Sequence, residues 1–220
     1  MLARSPDRSR KAILDAAEGE FVERGYLGAS VNKIAERAEL NKRMLYHYFG
    51  SKEGLFTAVL ESVYERLRTG ERSLELDDER PVAAMEQLVR FSYDHLVAHP
   101  RFVALLTIEN LHDAAHLKRS QRIRTMHSPL IGLIRTLLDE GVASGDFRAD
   151  VDPVELYVSI AALCFFHLSN RHTLSVVFDR DMGSRAALSH RREHVVDVVM
   201  GFLRGPERGA EAPPVRDAGR

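Results

Sequence analysis

Apolar residues recur three and four positions apart along almost the whole chain, and no stretch alternates apolar and polar side chains between turn residues as a half-buried strand does. The pattern predicts an all-α protein. A first helix is expected from about Ser9 to Arg24, with Ile13, Ala17 and Phe21 on one stripe and Gly25 ending it. Ser30 is placed to cap a second helix, Val31 to Ala38, and Asn41 a third, Lys42 to Phe49, with only Glu39, Leu40 and Asn41 between them. Gly50-Ser51 then opens a long fourth helix whose apolar face carries Leu55, Phe56, Val59, Leu60, Val63 and Leu67.

An acidic loop, Asp77-Asp78-Glu79-Arg80, is expected before Pro81, which suits the first turn of a helix reaching about Ala98, where His99-Pro100 stops it. Further helices are expected over 102–115, over 120–144 with a break or kink at Ser128-Pro129, over 153–170 and over 185–203. Asp152-Pro153-Val154-Glu155 combines an acidic cap, proline at the first position and glutamate at the third. The expected organisation is a three-helix head over 1–52, a helical bundle over 53–204, and a disordered tail over 205–220 that holds three prolines and three glycines.

With 45% apolar and 29% charged residues the chain has ample material for a core. A single cysteine, Cys164, excludes an internal disulfide framework, and no apolar run approaches the roughly 18 to 20 residues of a membrane span. A soluble, cytoplasmic protein with no membrane partner is expected. The formal charge of −1 argues against indiscriminate coating of nucleic acid, but residues 1–52 hold 10 Lys and Arg against 7 Asp and Glu, so any nucleic-acid contact is expected there.

Two short helices joined by a three-residue turn form the skeleton of a helix-turn-helix, whose second helix enters the major groove. Helical geometry puts Leu45 and Phe49 on a face that packs with Leu40, Ile34 and Ala35, and puts Lys42, Arg43, Tyr46 and His47 on the opposite one. The stretch 41–49 contains no acid, unlike an ordinary solvated helix. Periodicity alone fits a plain helical hairpin with a basic outer face equally well.

The run from Ser30 to Leu55, above all Leu45-Tyr46-His47-Tyr48-Phe49-Gly50-Ser51-Lys52-Glu53, closely resembles the DNA-binding signature of the TetR family of bacterial repressors. The resemblance covers about residues 9–60, and the later string of helices agrees with that family's ligand domain. It implies that Asn32 and Lys33 lie near the DNA backbone or groove edge. Asn41, Lys42, Arg43, Tyr46 and His47 would form the reading surface, with Tyr46 and Lys52 on phosphates and Lys42 and Arg43 on guanine. Two positions depart from the pattern: Glu39 stands where a turn glycine is usual, and Met44 where small residues are frequent.

In this reading the bundle binds an effector, and a tilt of the fourth helix alters the spacing of two heads in a homodimer on a palindromic operator. The central helices offer Phe91, His95, Phe102, Leu105, Ile108, Glu109, His112, Met126, Leu130, Ile134, Phe165 and Asn170 as ligand candidates, most of them equally suited to a plain core. The mixture points to a largely apolar or aromatic effector with one polar or acidic handle. Val195, Val196, Val199, Phe202 and Leu203, facing Ser159, Leu163 and Phe166, are expected to build a four-helix dimer interface, the alternative being closure of the monomer's own bundle.

No nucleophile elbow, phosphate loop or cofactor motif occurs, so no catalytic residue and no cofactor is expected. Two rival readings remain at this point. One is a metal-responsive regulator using His95, Glu109, His112 and His116 or His167. The other is a carboxylate-bridged metal enzyme built on the single Glu109-x-x-His112, which lacks the second copy such a site needs.

Overall fold

The structure is a computed structural model that describes residues 5–74, 76 and 80–205, without the side chains of 127 and 128. The acidic residues 77–79 and the tail 206–220 lie outside the described residues. Among the described residues nine α-helices follow one another: α1 Pro6–Gly28, α2 Val31–Arg37, α3 Lys42–Phe49, α4 Lys52–Arg72, α5 Pro81–Ala98, α6 Pro100–Leu111, α7 Gln121–Ser144, α8 Pro153–Val177 and α9 Arg185–Arg204, with a 3₁₀ turn at Leu117–Arg119. No strand occurs among the described residues.

The helix starts follow from side chains that take up the orphan N–H groups of a first turn. Asn41 accepts from the Arg43 N–H at 2.9 Å, Ser51 from Gly54 at 2.9 Å, and Asp152 from both Val154 and Glu155 at 2.8 and 2.9 Å. Ser30 departs from expectation: its hydroxyl makes no cap bond, and its own N–H donates to Glu20 Oε1 at 3.1 Å. The buried Glu20, also 3.4 Å from Arg37 Nη2, stitches α1 to the start of α2 through the N–H of Ser30 itself.

Gly25 breaks α1 as expected, at φ +68. The turn between α2 and α3 uses no glycine: Glu39 itself takes φ +53, a conformation that costs an L-residue on the order of 1 kcal/mol. Ile34, Ala38 and Leu45 close the head's core with Ile13, Ala17, Phe21, Leu55 and Phe56.

Three helix boundaries differ from the sequence reading. The helix expected over 102–115 stops at Leu111, and Asp113 and Ala114 turn to φ +53 and +55. The buried Glu109 carboxylate causes this, because it accepts from the backbone N–H groups of His116 (2.8 Å) and Leu117 (2.9 Å) and so folds the chain back. Pro129 does not interrupt α7, which runs unbroken from Gln121 to Ser144. The polar run Ser169 to Thr173, expected to follow the helix, is part of α8. Its side chains bond back into the helix, Asn170 Nδ2 to Phe166 O at 3.0 Å and Thr173 Oγ1 to Asn170 O at 2.8 Å, so its polarity costs no helical bond.

The bundle centres on α5, which packs against α7, α8 and α9, while α1 and α7 both pack on α4. Val195, Val196, Val199 and Leu203 of the expected dimer strip lie buried within the protomer. The strip sits on the side of α9 that packs against α5 and α8.

At the junction of α3 and α4, a Cβ added to Gly54 would lie 2.2 Å from the Phe49 carbonyl oxygen, a backbone atom with no room to yield. Gly54→Ala is therefore expected to push α3 off α4 and to lower stability by about 1–3 kcal/mol. Urea denaturation of the two proteins measures the difference.

Candidate nucleic-acid interface and internal cavity

The short helix α3 is held by Leu45, fully buried on its inner side, a burial worth about 1.5–3 kcal/mol. That anchor leaves the opposite face open. Asn32, Lys33, Asn41, Lys42, Arg43, Tyr46 and His47 are all exposed, on the first turn of α2 and along α3. Lys42 Nζ lies 5.8 Å from the Tyr46 ring centre, and His47 meets Tyr48 edge-on at 5.3 Å. Seven of the eight expected DNA-binding residues are thus open to solvent.

Lys52 sits differently. It is half-buried, its ammonium donates to Leu27 O at 3.2 Å and lies 5.2 Å from the Tyr26 ring centre, and burial lowers its pKa against the pull of Glu20. Tyr26 in turn touches Phe56 (5.1 Å) and His116 (4.5 Å), so Lys52 belongs to a ring cluster where the head meets the bundle. On the bundle side His116 Nδ1 is 2.7 Å from Glu109 Oε2. Glu61 accepts from Ser120 Oγ at 2.7 Å, Glu65 from Arg122 at 2.7 Å, and Glu53 pairs with Arg119.

Between α4, α5, α6 and α8 lies a cavity of about 90 Å³, lined by Tyr64, Leu67, Arg68 and Glu71 of α4, Ser92 and Leu96 of α5, Phe102 and Leu106 of α6, and Tyr157, Ile160, Ala161, Cys164 and Phe165 of α8. Phe165 and Phe102 are the sequence-expected residues on its wall. Leu105, Leu130 and Ile134 are buried in the core, and Met126 is half-buried on α7. Phe91 lies against His95 (5.6 Å between rings), and His95 stacks on His99 at 4.1 Å. Ile108 lines a separate groove with Val22 and His172. Glu109 serves the backbone after α6, His112 meets Tyr26 at 5.5 Å, and Asn170 bonds to its own helix.

Sequence reasoning missed Arg68 and Glu71. The available signal was a charge pair, three residues apart, continuing the inward stripe of Leu60, Tyr64 and Leu67. Arg68 is 2% exposed, with Nη1 2.8 Å from Glu71 Oε2 and Nη2 3.5 Å from Tyr157 Oη. Burial raises the Glu71 carboxyl to about 7 against the attraction of Arg68 and Arg72, and raises the Cys164 thiol to about 12. Burial first, then His99, Arg66 and Arg68, lowers His95 to about 4.

Residues 13–59 match the family described as bacterial regulatory proteins, tetR family, and residues 81–199 match the tetracyclin repressor-like C-terminal domain. The chain is 39% identical over 202 residues to the HTH-type transcriptional repressor NicS of Pseudomonas putida, a match covering 92% of this chain and 95% of NicS. It is 32% identical over 147 residues to the HTH-type transcriptional repressor KstR2 of Rhodococcus jostii, covering 67% of this chain and 71% of that one. In fold it is similar to SCO4942 from Streptomyces coelicolor, with a TM-score of 0.67 at 24% identity over 90% of this chain and 99% of the other.

An exposed, acid-free α3 behind a helix-turn-helix, together with these matches, defines a DNA-binding transcriptional regulator and not an enzyme. The chain belongs to the TetR family. TetR regulators bind DNA and typically dimerise and bind small-molecule effectors. No helix of the described residues is long and apolar enough to cross a membrane.

Glu71 and His95 shape stability in opposite directions. His95, lowered from 6.5 to about 4, contributes stability that is present above about pH 6.5 and is lost as pH falls. Glu71, raised from 4.5 to about 7, contributes stability that is present below about pH 4.5 and is lost as pH rises. The two slopes oppose between about pH 4.5 and 6.5. In Glu71→Gln the opposing slope is gone while those of His95 and of His167, which burial also lowers, remain, so the unfolding free energy should climb more steeply with pH across that window than in the parent, by about 1 kcal/mol per pH unit. Urea unfolding at a series of pH values measures both slopes.

Proposed function

We propose that the protein is a cytoplasmic repressor that binds a palindromic operator as a homodimer and is released by a small, largely apolar or aromatic effector. The observation that carries this reading is the outward face of α3, where Lys42, Arg43, Tyr46 and His47 stand exposed with no acid beside them on the helix. The kinship with the repressor NicS supports the direction of regulation. The division into a head over 1–52 and an effector and dimerisation unit over 53–204 accords with the two family matches, 13–59 and 81–199.

For the dimer, the support is an unpartnered apolar face on α8 and α9. Val158 is 51% exposed, Phe166 58% and Phe202 49%, and Leu156, Ser159, Ala162, Leu163, Val198, Val199 and Phe202 line a groove of about 400 Å³ beside them. A two-fold copy that lays the same face against this one covers those side chains. Of the expected interface, Ser159, Leu163, Phe166 and Phe202 are the residues available to it, and Val154, Val158 and Val198 extend it.

The metal-responsive reading draws no support from the geometry. Glu109 and His116 hold each other, His95 stacks on His99, and His167 pairs with Tyr93 Oη at 3.0 Å. No three His, Cys, Asp or Glu side chains among the described residues gather as a metal cage.

Two experiments test the assigned roles. In operator titrations, Arg43→Ala should relax base preference by about 1–3 kcal/mol at one position, whereas Lys52→Ala should weaken all duplexes alike and lower the salt slope by about 1. An unchanged salt slope with reduced thermal stability would instead confine Lys52 to its Tyr26 and Leu27 contacts. Phe166→Glu with Phe202→Glu should convert a dimer to monomer in sedimentation and cut operator affinity at least about tenfold, since one head then binds alone.

A further inference from the structure

The cavity under α4 contains a charge that its protein surroundings leave poorly served. A guanidinium carries five N–H donors in a planar fork, and burying it is costly unless they find acceptors. For Arg68 they do not. Nη2 reaches Tyr157 Oη only at 3.5 Å. Nη1 is close to Glu71 but out of hydrogen-bond alignment, and Nε has no acceptor among the described residues. The Tyr157 ring, 5.9 Å from the guanidinium carbon, adds a second partner that holds the fork in place without accepting from Nε. Of the remaining wall, Leu67, Phe102, Ile160 and Phe165 are apolar, and Tyr64, Ser92 and Cys164 add the other polar side chains.

We propose that the effector is a small monocarboxylate with an aromatic or branched apolar body, its carboxylate seated on the Arg68 fork and displacing the Glu71 side chain from it. The claim rests on the reading of this protein as an effector-released repressor and names the effector's class. A carboxylate matches the guanidinium with two parallel N–H···O bonds, a geometry Glu71 does not achieve from one turn away on the same helix. Size limits the body. A cavity of about 150 Å³ holds a benzene ring, so the space of about 90 Å³ takes a short branched chain as it stands, and a single ring enters only if the whole Glu71 side chain swings out of the wall.

Charge balance agrees. With Glu71 titrating near 7, an incoming anion neutralises Arg68 as Glu71 takes up a proton or swings away. Arg72 beside it on α4 pulls the Glu71 carboxyl down, while between about pH 6 and 8 the Tyr64 phenol of α4, pushed up to about 12, stays protonated, His95 on α5 stays neutral, and the Cys164 thiol on α8 stays protonated. From α6 only Phe102 and Leu106 line the space.

The test uses the full chain with two matched pairs as probes, benzoate with benzamide and phenylacetate with phenylacetamide, followed by calorimetric titration and thermal shift. At least one acid should bind, and its amide should bind at least about tenfold more weakly. Parent affinity for the acid should fall about tenfold from about pH 6 to about pH 8, while Glu71→Gln should bind at least as tightly at both and lose that pH dependence. Arg68→Met should lose the acid and keep the far-ultraviolet spectrum. If it does not fold, Arg68→Lys, which keeps the charge without the fork, should still weaken the acid by about tenfold. Failure of both acids, equal binding of acid and amide, or acid binding that survives at Arg68→Met would overturn the proposal. Operator retention by the ligand-free protein, measured separately, distinguishes this failure from failure of the repressor reading.

Discussion

One rigid helix supplies buried side chains to two cores, and the rest of the molecule is arranged around that constraint. The first half of α4 gives Leu55 and Phe56 to the head, where Phe56 meets Phe21 at 4.8 Å, and its second half gives Leu67, Arg68 and Glu71 to the cavity wall. Lys52 and Arg68 are about 24 Å apart along the helix axis. In a helix that stays straight over such a length, a displacement at the Arg68 end would reach the Lys52 end as a tilt. Gly54, pressed against the Phe49 carbonyl, leaves α3 little freedom to lag behind.

The second connection between the halves is the fold-back after α6. Glu109 gathers His116 and Leu117, and His116 lies against Tyr26 and Phe56 of the head. Two residues with positive φ, Asp113 and Ala114, are accepted there because three hydrogen bonds to a single buried carboxylate over-determine the turn. The head is therefore held from two sides, by α4 from within and by this turn from without.

Fold class, helix order and the exposed face of α3 were legible in the sequence because each depends on local signals: periodicity, capping residues, and the absence of acid from 41–49. What escaped was set by partners distant in sequence. Nothing near Ser30 announces that its N–H will go to Glu20, and nothing near His112 announces that Glu109 will end α6 early. The polar run Ser169 to Thr173 has loop composition, yet its side chains bond back into α8. The α9 valines form a clean aliphatic strip whichever core they enter, so their spacing could not separate a dimer seam from the interior of the protomer. Arg68 was passed over because a charged residue is expected on the outer face of a helix, and here it lies on the inner one.

The rungs between α4 and the start of α7 are of two kinds. Ser120 to Glu61 is a short hydrogen bond involving a half-buried carboxylate, whereas Glu53 with Arg119 and Glu65 with Arg122 stand largely in water. Exposed pairs of the second kind weaken as mobile ions accumulate. Ionic strength therefore bears on two sets of contacts, those between a duplex's phosphates and the protein and those that tie the start of α7 to α4.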